Sequence, residues 1–130
     1  MKKHLEVSAA VIEKDGLIFA AQRGNHGELA LKWEFPGGKI EPGETPEQAL
    51  VREINEEFDT EIEIIRPLIT VDHEYQSFSI SLHGFLCRIV TGSLPLKEHV
   101  AFRWLSMNEL REPDWAAADI GIVDKLKKTK

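Results

Sequence analysis

Apolar residues recur along the chain in two different periods, which predict strands in some segments and helices in others. In residues 78–90 they occupy alternate positions, with Phe78, Ile80 and Leu82 on one face and polar residues on the other. This alternation is typical of a β-strand. By the same criterion, and from their β-branched content, further strands are predicted for residues 5–12, 17–22, 33–35, 61–72 and 100–105.

Turn-forming residues separate several of these strands. Asp15-Gly16 lies between the first two and predicts a tight hairpin. Pro67 interrupts the segment 61–72, which predicts a bulged or edge strand because proline cannot donate a ladder hydrogen bond. Residues 23–31 contain two glycines and predict a loop.

The helical period appears first after residue 45. Leu50, Ile54 and Phe58 are spaced i, i+4, i+8 and predict the buried stripe of a helix that ends near Phe58. Thr45 predicts where this helix begins, because it is a favoured N-cap and Gln48 completes a capping box. The helix therefore has a defined start, a defined end and one apolar face.

A second helix is predicted at the end of the chain. Asp119 is expected to be its N-cap, after a loop over residues 113–118, with Ile120, Val123 and Leu126 facing inward. A short helix is expected between Ser106 and Leu110. The order of strands and helices predicts an α/β sandwich in a single domain spanning residues 1–130.

Composition and charge exclude some classes of protein. The 130 residues are 42% hydrophobic and 29% charged, which is typical of a globular protein. The net charge of −6 argues against a polymeric nucleic-acid partner, because phosphate backbones require clustered basic residues. Cys87 is the only cysteine, so no internal disulfide forms, and a reducing, cytoplasmic location is expected. Glu6 and Glu13 interrupt the first apolar segment, and we expect neither a signal peptide nor a membrane span.

The first helix carries an unusual concentration of negative charge. Glu53, Glu56 and Glu57 share one face, where like charges repel one another. A hard divalent cation bound by oxygen ligands would relieve this repulsion. The alternative is a solvated acidic helix with internal ion pairs such as Arg52 to Glu56. That alternative leaves the preceding glycine pair, the capping box and the position of Glu44 unexplained.

The segment from Gly38 to Thr60 resembles the Nudix box, G-x5-E-x7-R-E-U-x-E-E-x-G-U, in which U is a bulky apolar residue. Every charged position of the box is present in this sequence. The segment departs from the pattern at its end, where Asp59 replaces the glycine and Thr60 replaces the apolar residue. The resemblance implies an α/β/α sandwich with a mixed central sheet, and hydrolysis of nucleoside diphosphates linked to another group.

The same resemblance implies roles for the residues of the box. Arg52 would orient Glu53 through a bidentate charge-assisted bond, and Glu44 would support the site from behind. The ion would be Mg²⁺, with Mn²⁺ as a substitute. Its implied ligands are the carboxylates of Glu53, Glu56 and Glu57, with a backbone carbonyl near Gly37 or Gly38.

Beyond the box, residues 33–39 and 43–49 are similar to MutT-type nucleoside triphosphate pyrophosphohydrolases. Trp33 and the segment 118–120 are most similar to the members that act on CTP. This implies that water attacks the β-phosphorus and releases a nucleoside monophosphate and pyrophosphate. The implied substrate is a CTP-like or dCTP-like nucleotide, or an oxidised purine nucleotide such as 8-oxo-dGTP.

Residues outside the box are candidates for binding the substrate. Arg23 and Lys39 match family positions that contact phosphates. Glu98 precedes the last strand, where such enzymes place a further carboxylate ligand or a catalytic base, and either Glu53 or Glu98 would deprotonate the water. Each of these residues has a simpler interpretation as a surface or loop residue.

Asp119 is the candidate that would read the nucleobase. An ionised carboxylate only accepts hydrogen bonds, so it would suit the N–H groups of guanine or cytosine and would be a poor match for the O4 of thymine or uracil. Phe78 or Trp115 would stack on the base, although an isolated aromatic residue is more often part of a core.

Other functions fit parts of the pattern. A dinucleoside polyphosphate, a nucleotide sugar or ADP-ribose would use the same chemistry. A nucleotide sensor without activity would be expected to lack one of the glutamates of the box, and all are present. No EF-hand spacing supports a structural Ca²⁺ site. The sequence leaves the oligomeric state open and predicts a small-molecule nucleotide as the partner.

Overall fold

The computed structural model describes residues 2–128, so Met1 and the last two residues of the predicted domain lie outside the described part. The strands are β1 (Lys3–Lys14), β2 (Leu17–Gln22), β3 (Trp33–Glu34), β4 (Gly37–Lys39), β5 (Glu61–Glu74), β6 (Phe78–Thr91) and β7 (Ala101–Leu105). The helices are α1 (Pro46–Phe58) and α2 (Ala117–Lys128), and a short 3-10 helix covers Met107–Glu109.

Within residues 2–128, seven strands form one mixed sheet. Its order is β3-β2-β1-β6-β5, with β4 paired to β1 and β7 paired to β2. The central pair, β1 and β6, is parallel and runs in register from Lys3 opposite Phe78 to Ile12 opposite Cys87. All other pairs are antiparallel.

The two helices cover opposite faces of this sheet. Alternate residues of β1 divide between two clusters of buried side chains, because successive side chains of a strand point to opposite faces. Ala9 and Val11 pack in the cluster that includes α2, whereas Ala10 and Ile12 pack in the cluster that includes α1. The expected α/β/α sandwich is therefore confirmed.

The predicted boundaries of α1 are confirmed. Thr45 is its N-cap, and the capping box with Gln48 has both hydrogen bonds in place. Leu50, Ile54 and Phe58 have no exposed surface and hold the helix on the sheet. A helix fixed at its N-terminus and along one stripe presents its polar face in a defined direction.

The prediction for α2 was wrong in its start and in one residue of its inward face. The helix begins at Ala117, so Asp119 is its third residue and not its N-cap. Val123 and Leu126 are buried as predicted, whereas Ile122 is buried in place of Ile120, which is 42% exposed. The physical reason is the phase of the helix, because the face that packs on the sheet carries Ile122 and Leu126, four residues apart, and leaves Ile120 on the outer side.

Other local predictions hold. Asp15 and Gly16 both have positive φ, as the hairpin between β1 and β2 requires. The pairing of β5 with β6 shifts register on either side of Pro67. The helix after Ser106 is a single 3-10 turn. None of the described helices has the length and apolar character that spanning a membrane requires.

Candidate active site

One cavity of about 510 Å³ joins the acidic face of α1 to an apolar pocket over the sheet. At one end lie the carboxylates of Glu53, Glu57 and Glu98, beside the backbone of β4. The other end is walled by apolar and aromatic side chains, which include Leu5, Val7, Leu29, Tyr75, Phe78, Ile80 and Leu82. The cavity therefore offers a charged half and an apolar half to one ligand.

The charge around this cavity is strongly unbalanced. Arg23 and Lys39 are the arginine and lysine among its lining residues, and His26 and His99 add imidazoles. Six carboxyl groups face them: Glu34, Glu41, Glu53, Glu57, Glu98 and Asp119. A phosphate-bearing ligand therefore needs additional positive charge, which divalent cations supply in such sites.

The glycine pair before the box lets the backbone approach the carboxylate of α1. A Cβ atom on Gly38 would overlap the Glu53 carboxyl group, and a Cβ on Gly37 would overlap the carbonyl oxygen of Ser8. Only glycine leaves this space free. The main chain of β4 thus lies directly against the Glu53 carboxyl group.

Arg52 fixes the polar face of α1. Its guanidinium donates two hydrogen bonds to Glu44, at 2.7 and 2.9 Å, and single bonds to Glu53 at 3.0 Å and to Glu56 at 3.2 Å. The bidentate bond therefore goes to Glu44, and the expectation of a bidentate bond to Glu53 was wrong. Glu44 occupies the Nε and Nη2 donors on one edge of the guanidinium, which leaves Nη1 for Glu53 and Glu56. The Arg52 bonds lower the pKa of Glu44 to about 2.

The remaining carboxylates of α1 are held in a less favourable environment. Burial raises the pKa of Glu53, against the opposing effect of Arg52. Burial also raises the pKa of Glu57 to about 7, and the charges of Glu53 and Glu98 add to the shift. Each of these carboxylates is therefore destabilised by the others, and a bound cation would reverse that effect.

Glu56 is placed differently from its two neighbours. Its carboxylate contacts Arg52, its side chain is 60% exposed, and it does not line the cavity. In the arrangement described for residues 2–128, no three His, Cys, Asp or Glu side chains form a group able to hold a metal ion. Since Arg52 occupies oxygens of both Glu53 and Glu56, Glu56 would have to exchange Arg52 for the ion to act as a ligand.

Glu34 is a residue that the sequence interpretation missed. Its carboxylate accepts a hydrogen bond from Arg23 Nη1 at 3.1 Å and contacts Nε2 of His99 at 2.8 Å. The His99 ring also stacks on Phe58, with centroids 5.4 Å apart. Glu34 thus joins the loop before β3 to the segment that carries Glu98. The sequence did offer a signal for Glu34, because it is a charged residue between Trp33 and Phe35 in a predicted strand.

Asp119 lies at the base of the apolar half. Its side chain is 6% exposed, and Oδ2 accepts a hydrogen bond from the Phe35 N–H at 2.9 Å. Burial raises its pKa well above the usual value, and the charge of Glu34 raises it further. The carboxyl group is therefore neutral over a wider pH range than an exposed aspartate. A neutral carboxyl group donates hydrogen bonds as well as accepting them, so the acceptor-only role expected of Asp119 stays a prediction for its ionised form.

Two aromatic candidates for stacking on a base have different placements. Phe78 lines the cavity and lies 4.8 Å from the ring of Tyr75. Trp115 stacks on Phe35 at 4.5 Å, donates from Nε1 to the Leu110 carbonyl, and does not line the cavity. The structure thus assigns Trp115 to the core, which corrects its expected role in stacking.

A second missed residue, Glu28, joins two loops at the rim of the apolar half. Its carboxylate accepts hydrogen bonds from the N–H groups of Gln76 and Ser77, at 2.7 and 3.1 Å, and from the Ser77 hydroxyl. The loop before β3 and the turn between β5 and β6 are thereby held together. We name this contact the Glu28 clip.

The sandwich places an acidic helix face at one half-apolar cavity, an arrangement suited to a phosphorylated ligand. A family model described as the NUDIX domain matches residues 2–126, so the chain belongs to the Nudix family.

Curated relatives and solved structures agree with this assignment. The chain is 39% identical over 122 residues to the CTP pyrophosphohydrolase of Escherichia coli K12, covering 94% of this chain and 90% of that protein. It is 34% identical over 127 residues to the 8-oxo-dGTP diphosphatase of the same organism, covering 97% and 98%. A Nudix hydrolase structure from methicillin-resistant Staphylococcus aureus 252, named DNA mismatch repair protein MutT, superposes with a TM-score of 0.81 at 41% identity and full coverage of both chains.

Proposed function

We propose that this protein hydrolyses a nucleoside 5′-triphosphate to a nucleoside monophosphate and pyrophosphate in the presence of Mg²⁺. The observation that carries the proposal is the single cavity that joins the carboxylates of the Nudix box to an apolar pocket with a buried carboxyl group at its base. Its charged half and its apolar half suit a polyphosphate attached to a nucleoside with a planar base. The names of the curated relatives support the same reaction.

The residues present fit a divalent cation. All candidate donors are oxygens, which suit Mg²⁺ or Mn²⁺ better than softer metals. Glu53 and Glu57 would hold the ion together with a backbone carbonyl of Gly37 or Gly38, since glycine alone allows the close approach of β4. Glu56 would join them after releasing Arg52. When bound, the cation offsets the charge of the phosphates and acidifies water.

The protein's own groups position the reacting atoms. Arg52 holds Glu53 in one rotamer, because its guanidinium is itself fixed by two bonds to Glu44. Water adds to the β-phosphorus, and the bridging oxygen leaves with the nucleoside monophosphate as a proton is released. Glu53 or Glu98 accepts the proton from water. A pH–rate profile of each Gln variant identifies the base, because the variant without it loses the acidic limb.

Two basic residues are proposed to hold the phosphates. Arg23 lines the cavity, and its Nε has no hydrogen-bond acceptor within the described residues. Lys39 lines the cavity beside β4. Among the described lining residues, Arg23 and Lys39 are the side chains with a permanent positive charge, which suits direct contact with an anionic group.

Asp119 is proposed to contact the nucleobase, with Phe78 as the aromatic neighbour. A neutral carboxyl group pairs with one donor and one acceptor, as on the edges of cytosine and of guanine derivatives. Uracil and thymine present such a pair as well, so a neutral Asp119 would not by itself exclude these bases. CTP-like and oxidised purine nucleotides remain the proposed substrates on the basis of the relatives.

The decisive experiment measures pyrophosphate release with Mg²⁺ from common, oxidised and methylated nucleoside triphosphates, compared by kcat/KM. Glu53→Gln is expected to lower turnover by at least about 10²-fold with little change in Tm. Glu47→Gln is the matched control, because Glu47 is exposed on the same helix and does not line the cavity. Absence of release from every nucleotide would favour a sensor, and full activity of Glu53→Gln would overturn the site.

A further inference from the structure

The two residues at which the chain departs from the Nudix box contact the same loop. Asp59 ends α1 in the left-handed conformation, with φ 47° and ψ 40°, where the family pattern has glycine. Its carboxylate pairs with Lys97 Nζ at 2.8 Å. Lys97 Nζ also donates to the Glu56 carbonyl at 3.0 Å, so it supplies a cation at the C-terminal end of α1.

Thr60 makes the second contact. It is 1% exposed, and its hydroxyl donates to the Phe58 carbonyl at 2.8 Å and accepts from the Leu94 N–H at 2.9 Å. A Cβ on Gly92 would come within 2.6 Å of Thr60 Oγ1, so glycine is needed for the loop to close on this hydroxyl. An apolar residue at position 60 would offer the Leu94 amide no acceptor.

The loop held by these contacts carries Glu98. Residues 92–100 have no regular secondary structure, and Val100 N–H bonds the Gln22 carbonyl at 3.0 Å where β7 approaches. Glu98 is exposed, lines the cavity, and lies directly between Lys97 and the stacked ring of His99. Its position beside Glu53 and Glu57 therefore depends on how firmly its neighbours hold the loop to α1.

We propose that Asp59 and Thr60 are positioning residues, which fasten the loop 92–100 to the end of α1 and so hold Glu98 at the charged half of the cavity. We call the two contacts the α1 tether. The inference deepens the proposed function, on which it rests, by giving the departures from the family pattern a role in catalysis. Asp59 and Thr60 do not line the cavity, so they act through Glu98.

The physical basis is local. An exposed ion pair contributes little to global stability, but loops open at small free energies, so a weak contact changes how often the loop is closed. Loss of the Thr60 hydroxyl should cost more than loss of the ion pair, because it leaves the buried Leu94 N–H without an acceptor. Loss of the tether should therefore affect the loop far more than the whole domain.

The test restores the family pattern. Asp59→Gly removes the partner of Lys97 and keeps a residue that adopts positive φ readily, and Thr60→Val removes the hydroxyl at nearly constant volume. Asp15→Gly is the matched control, because Asp15 also has positive φ, at 54°, in the distant turn between β1 and β2. Each variant is made with and without Glu98→Gln.

The first readout is hydrogen exchange of the Leu94 and Val100 amides by NMR, which requires neither metal nor substrate. Asp59→Gly is expected to speed both by roughly two- to fivefold, and Thr60→Val to speed Leu94 by roughly tenfold. Exchange in α1 and β6, and exchange in the control, should stay unchanged. The double variant Asp59→Gly/Thr60→Val is expected to lower kcat by about three- to tenfold. In the Glu98→Gln background the same two substitutions should cause no further decrease in kcat.

Unchanged exchange at both amides in the double variant would overturn the tether. An equal decrease in kcat with and without Glu98→Gln would overturn the action through Glu98. Wild-type turnover in the single variant Glu98→Gln would overturn both the role of Glu98 and the catalytic part of this inference. If the wild-type protein releases no pyrophosphate, the proposed function fails, and the exchange result alone still decides whether the tether exists.

Discussion

At residue 38, the space that a side chain needs is already filled by the Glu53 carboxylate. The backbone there does not have positive φ, so alanine fits the main chain and conflicts only with Glu53. Gly38→Ala is therefore expected to displace Glu53 and to lower kcat/KM by about 10²-fold or more, while Tm changes little. Steady-state kinetics and thermal unfolding of the purified variant measure both effects.

A double variant separates displacement from a general defect. In Gly38→Ala/Glu53→Gln the carboxylate is already replaced, so the activity should equal that of Glu53→Gln alone. If the decreases in kcat/KM of the two single variants multiply in the double variant, alanine at position 38 affects a group other than Glu53.

Asp119 provides a prediction for stability against pH. Because its folded pKa is raised, its contribution is fully present below the unfolded pKa near 4 and is lost as pH rises through the folded value. Asp119→Asn imitates the neutral carboxyl group and does not titrate. The free energy of unfolding of the wild type, relative to this variant, should therefore decrease from pH 4 to pH 7 in urea titrations. A constant difference over that range would mean that Asp119 ionises normally.

The sequence identified the side chains of the Nudix box but not their individual partners. Arg52, Glu53 and Glu57 were found because their spacing on α1 is fixed by the helical period. The raised pKa of Asp119 was not predicted, because it depends on burial in the packed structure. The pairing of Arg52 with Glu44 was not predicted either, because it depends on the side-chain rotamers.

At the scale of elements, the Glu28 clip decides how the apolar half of the cavity is closed. Glu28 joins the loop before β3 to the turn between β5 and β6 through three donors. Glu28→Ala should free both loops and raise KM several-fold, with a smaller effect on kcat, because the clip lies away from the carboxylates of α1. Initial-rate measurements over a range of nucleotide concentrations give both constants.

A matched control uses another exposed glutamate that bridges two elements. Glu63 pairs with Arg88 across β5 and β6, and neither residue lines the cavity. Glu63→Ala should leave KM unchanged. A decrease in kcat at constant KM for Glu28→Ala would contradict the role of the clip in closing the cavity.

Elements with a clear period were predicted well, and elements with competing signals were not. The bounds of β2 and α1 follow from a turn and a capping box that are local in sequence. For α2, Asp119 suits both an N-cap and the first helical turn, so the start of the helix and the placement of Ile120 were predicted incorrectly. The hydrogen bond from the Phe35 N–H, a residue 84 positions earlier in the sequence, shows that the Asp119 carboxyl group does not cap the helix.

For the whole molecule, Cys87 reports on global unfolding. Its side chain has no exposed surface, and burial raises the pKa of its thiol to about 12. The thiolate is the reactive form, so the folded protein should be nearly inert to a thiol reagent such as DTNB at pH 8. In denaturant one thiol per chain should react at once. Rapid stoichiometric labelling without denaturant would show that the core around β6 opens locally.

The order of strands and helices predicted an α/β sandwich, and the resemblance to the Nudix family added its mixed central sheet. Apolar patterns identified most strands, and they gave no information on which strands pair. The parallel pairing of β1 with β6 joins residues far apart in sequence, and its register follows from the packing of both helices on the sheet.

That parallel pair has a consequence for how the protein is made. Partners in β1 and β6 are about 75 residues apart, so one whole edge of β1 stays without its neighbour while the ribosome adds the intervening segment. At about 5–20 residues per second the delay is roughly 4 to 15 s. During this interval the apolar side chains of the first hairpin are accessible to chaperones, and the helix bearing the Nudix box has already emerged without a finished sheet to pack against.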